Sequence, residues 1–135
     1  MAGGETELAA LLAGLTPRLD AEPYWFVTVP SVAALGSVDA LATFREREGL
    51  SAIVGRDAIA AGTPGEGPYA RIELGVHSSL EAVGLTAAVA TALTAHGISA
   101  NVVAAYHHDH VFVAWDDRDT ALGVLDGLEA RSRPS

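Results

Sequence analysis

Two short stretches carry the side chains best able to do chemistry. His77, Ser78 and Ser79 stand between an alternating apolar run and a helical one. His107, His108, Asp109 and His110 stand between two β-branched runs. A Ser-rich turn entering a helix can offer backbone N–H groups to an anion. A His-rich turn can bind a metal, move a proton or simply hold a hairpin. Zinc needs three or four converging ligands. Neighbours on a hairpin face opposite sides, so at most His108 and His110 share a face, with His107 and Asp109 on the other. His77 could be a third ligand, but nothing in the sequence brings it near. No metal site is therefore expected, and Asp109 is expected to tie its turn by side-chain hydrogen bonds. Acid–base work by Asp109 and His110 is the rival use, in a small dimeric enzyme or a metal protein built on the His107–His110 turn. No nucleophile–base–orienter set and no cofactor fingerprint stands in the chain. The expectation is no catalytic residue, no cofactor and no enzyme.

The elements around these turns read clearly. Arg71 to Val76 alternates, with Ile72, Leu74 and Val76 on one side and Arg71, Glu73 and Gly75 on the other, the period of a half-buried strand. Leu80 to His96 repeats apolar residues at helical spacing through Leu85, Val89 and Leu93, and Gly97 stops it. Two starts compete for this helix. Ser78-Ser79-Leu80-Glu81 fits a capping box. Alternatively residues 80–83 are loop and the helix starts at Gly84, whose missing side chain lets a ligand approach the backbone; the expectation leans to the second. A Val at position 84 should then spare the fold while blocking a ligand. Ile98 to Tyr106 and Val111 to Trp115 are strands around a turn at 107–110.

Upstream, Glu5 to Leu15 places Leu8, Leu11, Leu12 and Leu15 on one helical stripe, ended by Pro17, with Met1 to Gly4 a loose end. Tyr24 to Val29 is a strand closed by Pro30, and Ser31 to Gly36 a short connection. Asp39–Glu46 and Leu50–Gly55 form a hairpin turning at Glu48-Gly49. Arg45-Glu46-Arg47-Glu48 is a solvated turn, or else closes a pocket. Asp57 to Ala61 is at most two helical turns capped by Asp57. Gly62 to Pro68 holds three Gly and two Pro in seven residues and reads as a linker. After Trp115, Asp116 or Asp117 can cap a helix to Glu129 with Leu122, Leu125 and Leu128 inward. The tail 131–135 is frayed.

The halves rhyme. The Asp39–Gly55 hairpin matches Asn101–Trp115, with Phe44 where Tyr106 sits, each before a polar turn. The first half lacks a helix between its first strand and its hairpin, a gap the N-terminal helix could fill. The division is an N-terminal half at 1–62, a linker at 63–68 and a C-terminal domain at 69–135.

Composition bounds the use of this fold. The chain has 135 residues, a net charge of −9 and no cysteine, and every cation is Arg. Disulfides and thiol chemistry are excluded, as are a Lys Schiff base and a P-loop. An acidic chain without a basic cluster is a poor nucleic-acid binder. Its apolar runs are short and interrupted, so no membrane contact and a cytoplasmic location are expected.

The run from His77 to Leu93 with His96 to Val113 resembles the ACT domain, the small-ligand regulatory module found in aspartokinases. It is especially similar to small stand-alone proteins with two ACT-like halves, which share the phrases Phe44–Ser51 and His108–Val113. The resemblance covers most of the chain from Glu5 onward. It implies an α+β fold: a ferredoxin-like βαββαβ sandwich with antiparallel sheets. It also implies pairing of ACT units and binding of a free amino acid, or a similar small ligand, where units meet. The positions matching the ligand site are His77, Ser78 and Ser79 after the first strand, Val83, Gly84, Leu85 and Thr86 at the helix, and Asn101 with Val102 at the second strand. No Pro precedes Gly84, and no catalytic domain is expected alongside the module.

Magnitudes favour a composite pocket. A helix N-terminus gives a carboxylate ~0.3–2 kcal/mol, whereas micromolar affinity needs about 8 kcal/mol. A second ACT unit or a second chain must supply the remaining walls. The expected partners are the small ligand, a second copy of the chain in a dimer, and a regulated enzyme.

Overall fold

The computed structural model describes residues 7–58 and 60–134. Their elements run α1 (Leu8–Ala13), β1 (Pro17–Leu19), β2 (Tyr24–Val29), α2 (Val32–Leu35), β3 (Ala42–Arg45), β4 (Leu50–Gly55), β5 (Gly65–Leu74), α3 (Leu85–Thr94), β6 (Asn101–Ala104), β7 (Asp109–Ala114), a 3-10 turn (Trp115–Asp117) and α4 (Arg118–Ser132). This is the expected α+β, ferredoxin-like architecture. The expected helix start at Glu5, the loose end at 1–4 and the last tail residue lie outside the described residues. Two compact units divide the chain. One spans Ala21–Tyr69, and the other joins the segment ending at Asp20 to the chain from Ala70 onward.

The second of these units has its strands in the order β1-β5-β7-β6. From β5 it reads strand, helix, strand, strand, helix, and β1 from the N-terminal segment supplies the closing strand. β1 lies antiparallel to β5, with Pro17 opposite Leu74 and Leu19 opposite Ile72. Alternation decides the faces of β5: Ala70, Ile72 and Leu74 are buried, Arg71 and Glu73 half-buried. Leu85, Val89 and Leu93 of α3, Ala121 and Leu125 of α4, and Leu11 and Leu15 around α1 join them in one core. Full burial of each Leu is worth about 1.5–3 kcal/mol. The α1 helix packs on α3 and α4 within this unit. Leu15 and Thr16 explain why: their carbonyls accept from Val76 and Gly75, and the Thr16 N–H donates to buried Glu129 Oε2 at 3.1 Å.

The Ala21–Tyr69 unit repeats the order as β5-β2-β4-β3, here with the first part of β5 as the closing strand. Tyr24 faces Tyr69 and Val27 faces Gly65, with a register shift between. Every residue of β2 from Tyr24 to Val29 pairs with β4. The gap expected between its first strand and its hairpin holds α2, a single turn whose Ser31 hydroxyl accepts from Ala34 N–H at 3.2 Å. The core is thin: Val27, Ala52 and Val54, with Trp25, Leu35, Val38 and Ala40 against them.

Three local expectations differ from the structure. β5 begins at Gly65, inside the stretch expected as a linker. Gly65 and Gly67 are there for close approach: a Cβ would fall 2.7 Å from Phe26 O and 2.4 Å from Trp25 Cδ1 respectively. Of the helix expected at 57–61, residue 59 lies outside the described residues; Asp57, its expected cap, has φ +67° and sits in a turn. The last helix starts without a side-chain cap from Asp117.

Candidate functional site

The chain leaves β5 at Leu74 and reaches α3 at Leu85 after ten intervening residues, and this connection carries most of the expected ligand positions. Ser79 starts a tight turn: its carbonyl accepts from Ala82 N–H at 2.9 Å and its Oγ accepts from Glu81 N–H at 3.1 Å. Gly84 is the N-cap of α3, with φ +97°, so of the two starts the second is the observed one and the capping box at Ser78 does not form. The first helical bond runs from Ala88 N–H to Gly84 O. The N–H groups of Leu85, Thr86 and Ala87 consequently have no acceptor within the helix. Val83 and Leu80 beside them are 83% and 68% exposed, while Leu85 is buried in the core. Gly84 itself is not open to an added side chain. A Cβ there would lie 3.2 Å from Leu8 Cδ2, in a backbone conformation that L residues rarely adopt. The expectation that Val at 84 spares the fold is corrected by both observations.

The His-rich turn is displaced by two residues from its expected position. Ala105 N–H bonds to His108 O at 3.0 Å, so the turn is 105–108, and Asp109 and His110 belong to β7. Because β5 and β7 are neighbours, the end of one meets the start of the other. Ser78, 8% exposed, donates from Oγ to Asp109 Oδ2 at 3.3 Å, the latter also 8% exposed. His108 Nδ1 lies 3.4 Å from Val76 O, an acceptor, which assigns the proton to Nδ1. The His77 ring stands 5.3 Å from that of His107 and 6.4 Å from that of His108, and Tyr106 stacks edge-on to His107 at 4.9 Å. Sequence reasoning left His77 apart from the other histidines. The signal was available in the ferredoxin-like order, which makes first and third strands neighbours. Among the described residues no group of three or more His, Asp or Glu could hold a metal ion.

His110 is half-buried and its Nδ1 is buried without a hydrogen-bond partner. Burial first, then the Arg71 guanidinium, holds its pKa below the ordinary 6.5; Glu73 and Asp109 oppose this and His108 adds to it. The imidazole is thus kept neutral where it packs. Asn101 is exposed at the start of β6, opposite Phe112, and Val102 lies half-buried opposite Val111. Among the described residues neither side chain bonds to the 77–86 connection, so the structure gathers His77, Ser78 and Ser79 with the second hairpin and leaves Asn101 on the edge strand. In the other unit, Arg45, Glu46, Arg47 and Glu48 are all exposed, with the turn closed by Glu46 N–H to Gly49 O at 2.8 Å. Ser51 Oγ donates to Glu46 Oε1.

Comparison with known proteins finds two matches to one kind of domain along the chain. One family profile described as the ACT domain matches residues 3–70, and a second ACT domain profile matches residues 68–126. A crystal structure of a Vibrio cholerae protein of unknown function, described as a possible transport protein, is 44% identical, covers 90% of this chain and 95% of its own, and superimposes with a TM-score of 0.81. An Agrobacterium tumefaciens protein shares the fold at 18% identity, with 80% and 84% coverage and a TM-score of 0.68. So does the ligand-free regulatory subunit of aspartate kinase from Thermus thermophilus, at 14% identity, 85% and 98% coverage and a TM-score of 0.61. No curated protein matches the sequence. Among the described residues no helix is long and apolar enough to cross a membrane.

Proposed function

This chain belongs to the ACT domain family, and we propose that it is a non-catalytic regulatory protein that senses a free amino acid or a similar small ligand. The ligand carboxylate docks on the free N–H groups of Leu85 and Thr86. His77, Ser78, Ser79, Val83 and Gly84 shape the approach, and Asn101 with Val102 contributes from β6. A second copy of the chain covers the exposed Val83 and Leu80 and completes the pocket. A regulated enzyme in the cytoplasm reads the liganded state. The two ACT repeats in this reading are the Ala21–Tyr69 unit and the unit that joins the segment ending at Asp20 to the chain from Ala70 onward, in place of the expected halves at 1–62 and 69–135 with a linker at 63–68, and the two matched profiles meet close to that junction.

The observation that carries the reading is the start of α3 at Gly84, with unpaired helix N–H groups beside exposed apolar side chains. Such a helix end favours an anion. Asp109 supports the non-catalytic half of the reading, because it is buried and bound by Ser78 rather than open to a substrate. A thermal-shift screen over all amino acids, with nucleotides and divalent metals as controls, tests it. Ligand at about a hundred times its Kd adds ~2.7 kcal/mol, which raises the midpoint by roughly 3–6 °C for a domain of this size. A shift with a metal or a nucleotide and with no amino acid overturns the reading.

A further inference from the structure

The charged turn of the Ala21–Tyr69 unit, with Arg45, Glu46, Arg47 and Glu48, takes no part in the reading above. It is a rigid turn. Glu46 N–H donates to Gly49 O at 2.8 Å, and Gly49 N–H donates to Glu46 O at 3.3 Å. Gly49, with φ +153°, packs so tightly on the end of β2 that a Cβ would fall 2.7 Å from Val29 O. Leu50 pairs with Arg45 on one side and with Val29 on the other. The β3–β4 turn and the entry to α2 at residues 30–32 are thereby held at one end of the sheet. Between them runs an open groove of about 350 Å³, lined by Pro30, Ser31, Val32 and residues 45–50. That volume stands at the lower end of the roughly 300–1,000 Å³ of small-molecule pockets. It is larger than a bare ion needs.

The lining decides the chemistry. Among the described residues neither Arg45 nor Arg47 has an ion pair or a side-chain hydrogen bond, and both are exposed. Glu46 does not neutralise them, because its carboxylate accepts from the Ser51 hydroxyl. Ser31 Oγ accepts from Ala34 N–H at 3.2 Å, which leaves its own proton to donate. Two guanidinium forks and a hydroxyl donor thus line one groove. One fork engages both oxygens of a carboxylate and would leave the second fork unused. A phosphate monoester has three terminal oxygens and close to two charges at neutral pH, which suits both forks and the hydroxyl. Glu48, exposed on the same groove, repels a bare anion but accepts from a hydroxyl that the ligand carries. Val32, 55% exposed, adds an apolar wall.

We propose that Ser31, Val32, Arg45, Arg47 and Glu48 form a binding site for a small phosphate monoester of a hydroxylated carbon chain. Arg45, Arg47 and the Ser31 hydroxyl take the phosphate. Glu48 accepts from a hydroxyl of the carbon chain, and Val32 packs against that chain. The site lies wholly within the Ala21–Tyr69 unit and does not depend on the Gly84 region.

Titration calorimetry on the full chain, with glycerol 3-phosphate as the probe, tests this. The probe should give a saturable isotherm. Glycerol, which lacks the phosphate, should give none. Glycerate, which carries a carboxylate in its place, should bind about tenfold more weakly. Arg45→Gln and Arg47→Gln should each weaken glycerol 3-phosphate by a similar factor. Both side chains are exposed, so the melting curves of these variants should match that of the wild type. Arg131→Gln removes an exposed guanidinium from the other unit and should leave the affinity unchanged. Glu48→Gln should bring inorganic phosphate closer in affinity to glycerol 3-phosphate, because it lifts the repulsion of a bare anion. The proposal is overturned by no saturable response to glycerol 3-phosphate, by glycerate binding as tightly, or by Arg131→Gln weakening the probe as much as Arg45→Gln does. The last result would assign the signal to diffuse charge. An amino-acid shift in the thermal screen would still stand in each case, and failure of that screen would leave the glycerol 3-phosphate response standing.

Discussion

The Ser78 hydroxyl donates to the Asp109 carboxylate at 3.3 Å, in a position where both side chains are buried. This bond ties the connection that leads into α3 to the first residue of β7. It explains why a polar pair can stand at the edge of an apolar core: each group compensates the other's loss of water. It also gives Asp109 the turn-fixing role that the His-rich stretch suggested.

Removing either partner of that bond should therefore destabilise the protein. Ser78→Ala and Asp109→Asn should each cost about 1–2 kcal/mol in urea denaturation, since each leaves a buried group unsatisfied. The double variant should cost clearly less than the sum, because the two residues share one interaction. Additive losses would show that Asp109 is stabilised by something other than Ser78.

Two glycines with similar backbone conformations should respond differently to a methyl group. Gly97 has φ +71° and nothing within 4 Å of an added Cβ, whereas Gly84 has φ +97° and Leu8 Cδ2 at 3.2 Å. Gly97→Ala should cost about 1–2 kcal/mol from the left-handed backbone alone. Gly84→Ala should cost more, and Leu8→Ala in the same chain should recover part of the difference. Equal losses at the two positions would remove the Leu8 contact as a constraint on α3.

Stability should fall on mild acidification, in part through His110. Its pKa is depressed by burial and by Arg71, below the ordinary 6.5. Below pH 6.5 the unfolded chain thus binds a proton that the folded chain resists, and the contribution is lost as pH falls from 6.5 through the folded value. Above 6.5 it is fully present. His110→Gln should flatten the dependence of the urea midpoint on pH across that window. A variant with the wild-type slope would show that other groups carry it.

The exposed aromatic and apolar residues predict self-association. Phe44 is 71% exposed on edge strand β3 and Tyr106 is 61% exposed beside β6, in addition to Leu80 and Val83. Unpaired edges and exposed large apolar side chains favour a symmetric partner. Sedimentation equilibrium at micromolar concentration should give about twice the 13.9 kDa chain mass. A single species of chain mass would contradict this.

The sequence by itself determined the longer strands and helices, because period and cap chemistry are local; the short β1 and α2 carry no such period. The alternation of Arg71–Val76, the bounds of Tyr24–Val29 and the helix entered at Gly84 were all legible from residues a few positions apart. It also carried the repeat, in the correspondence of Phe44 with Tyr106, and with it the ferredoxin-like class. Glycine was ambiguous, since close packing and loop freedom both select it; only the Trp25 ring against Gly67 shows that the expected linker is half strand. Tertiary structure alone decided that the N-terminal strand closes the unit containing the second half, through contacts such as Thr16 with Glu129, 113 residues apart. It alone placed His77 beside His107 and His108. Each of these depends on which strands lie side by side, and that is set by burial summed over many distant residues rather than by the spacing within any one stretch.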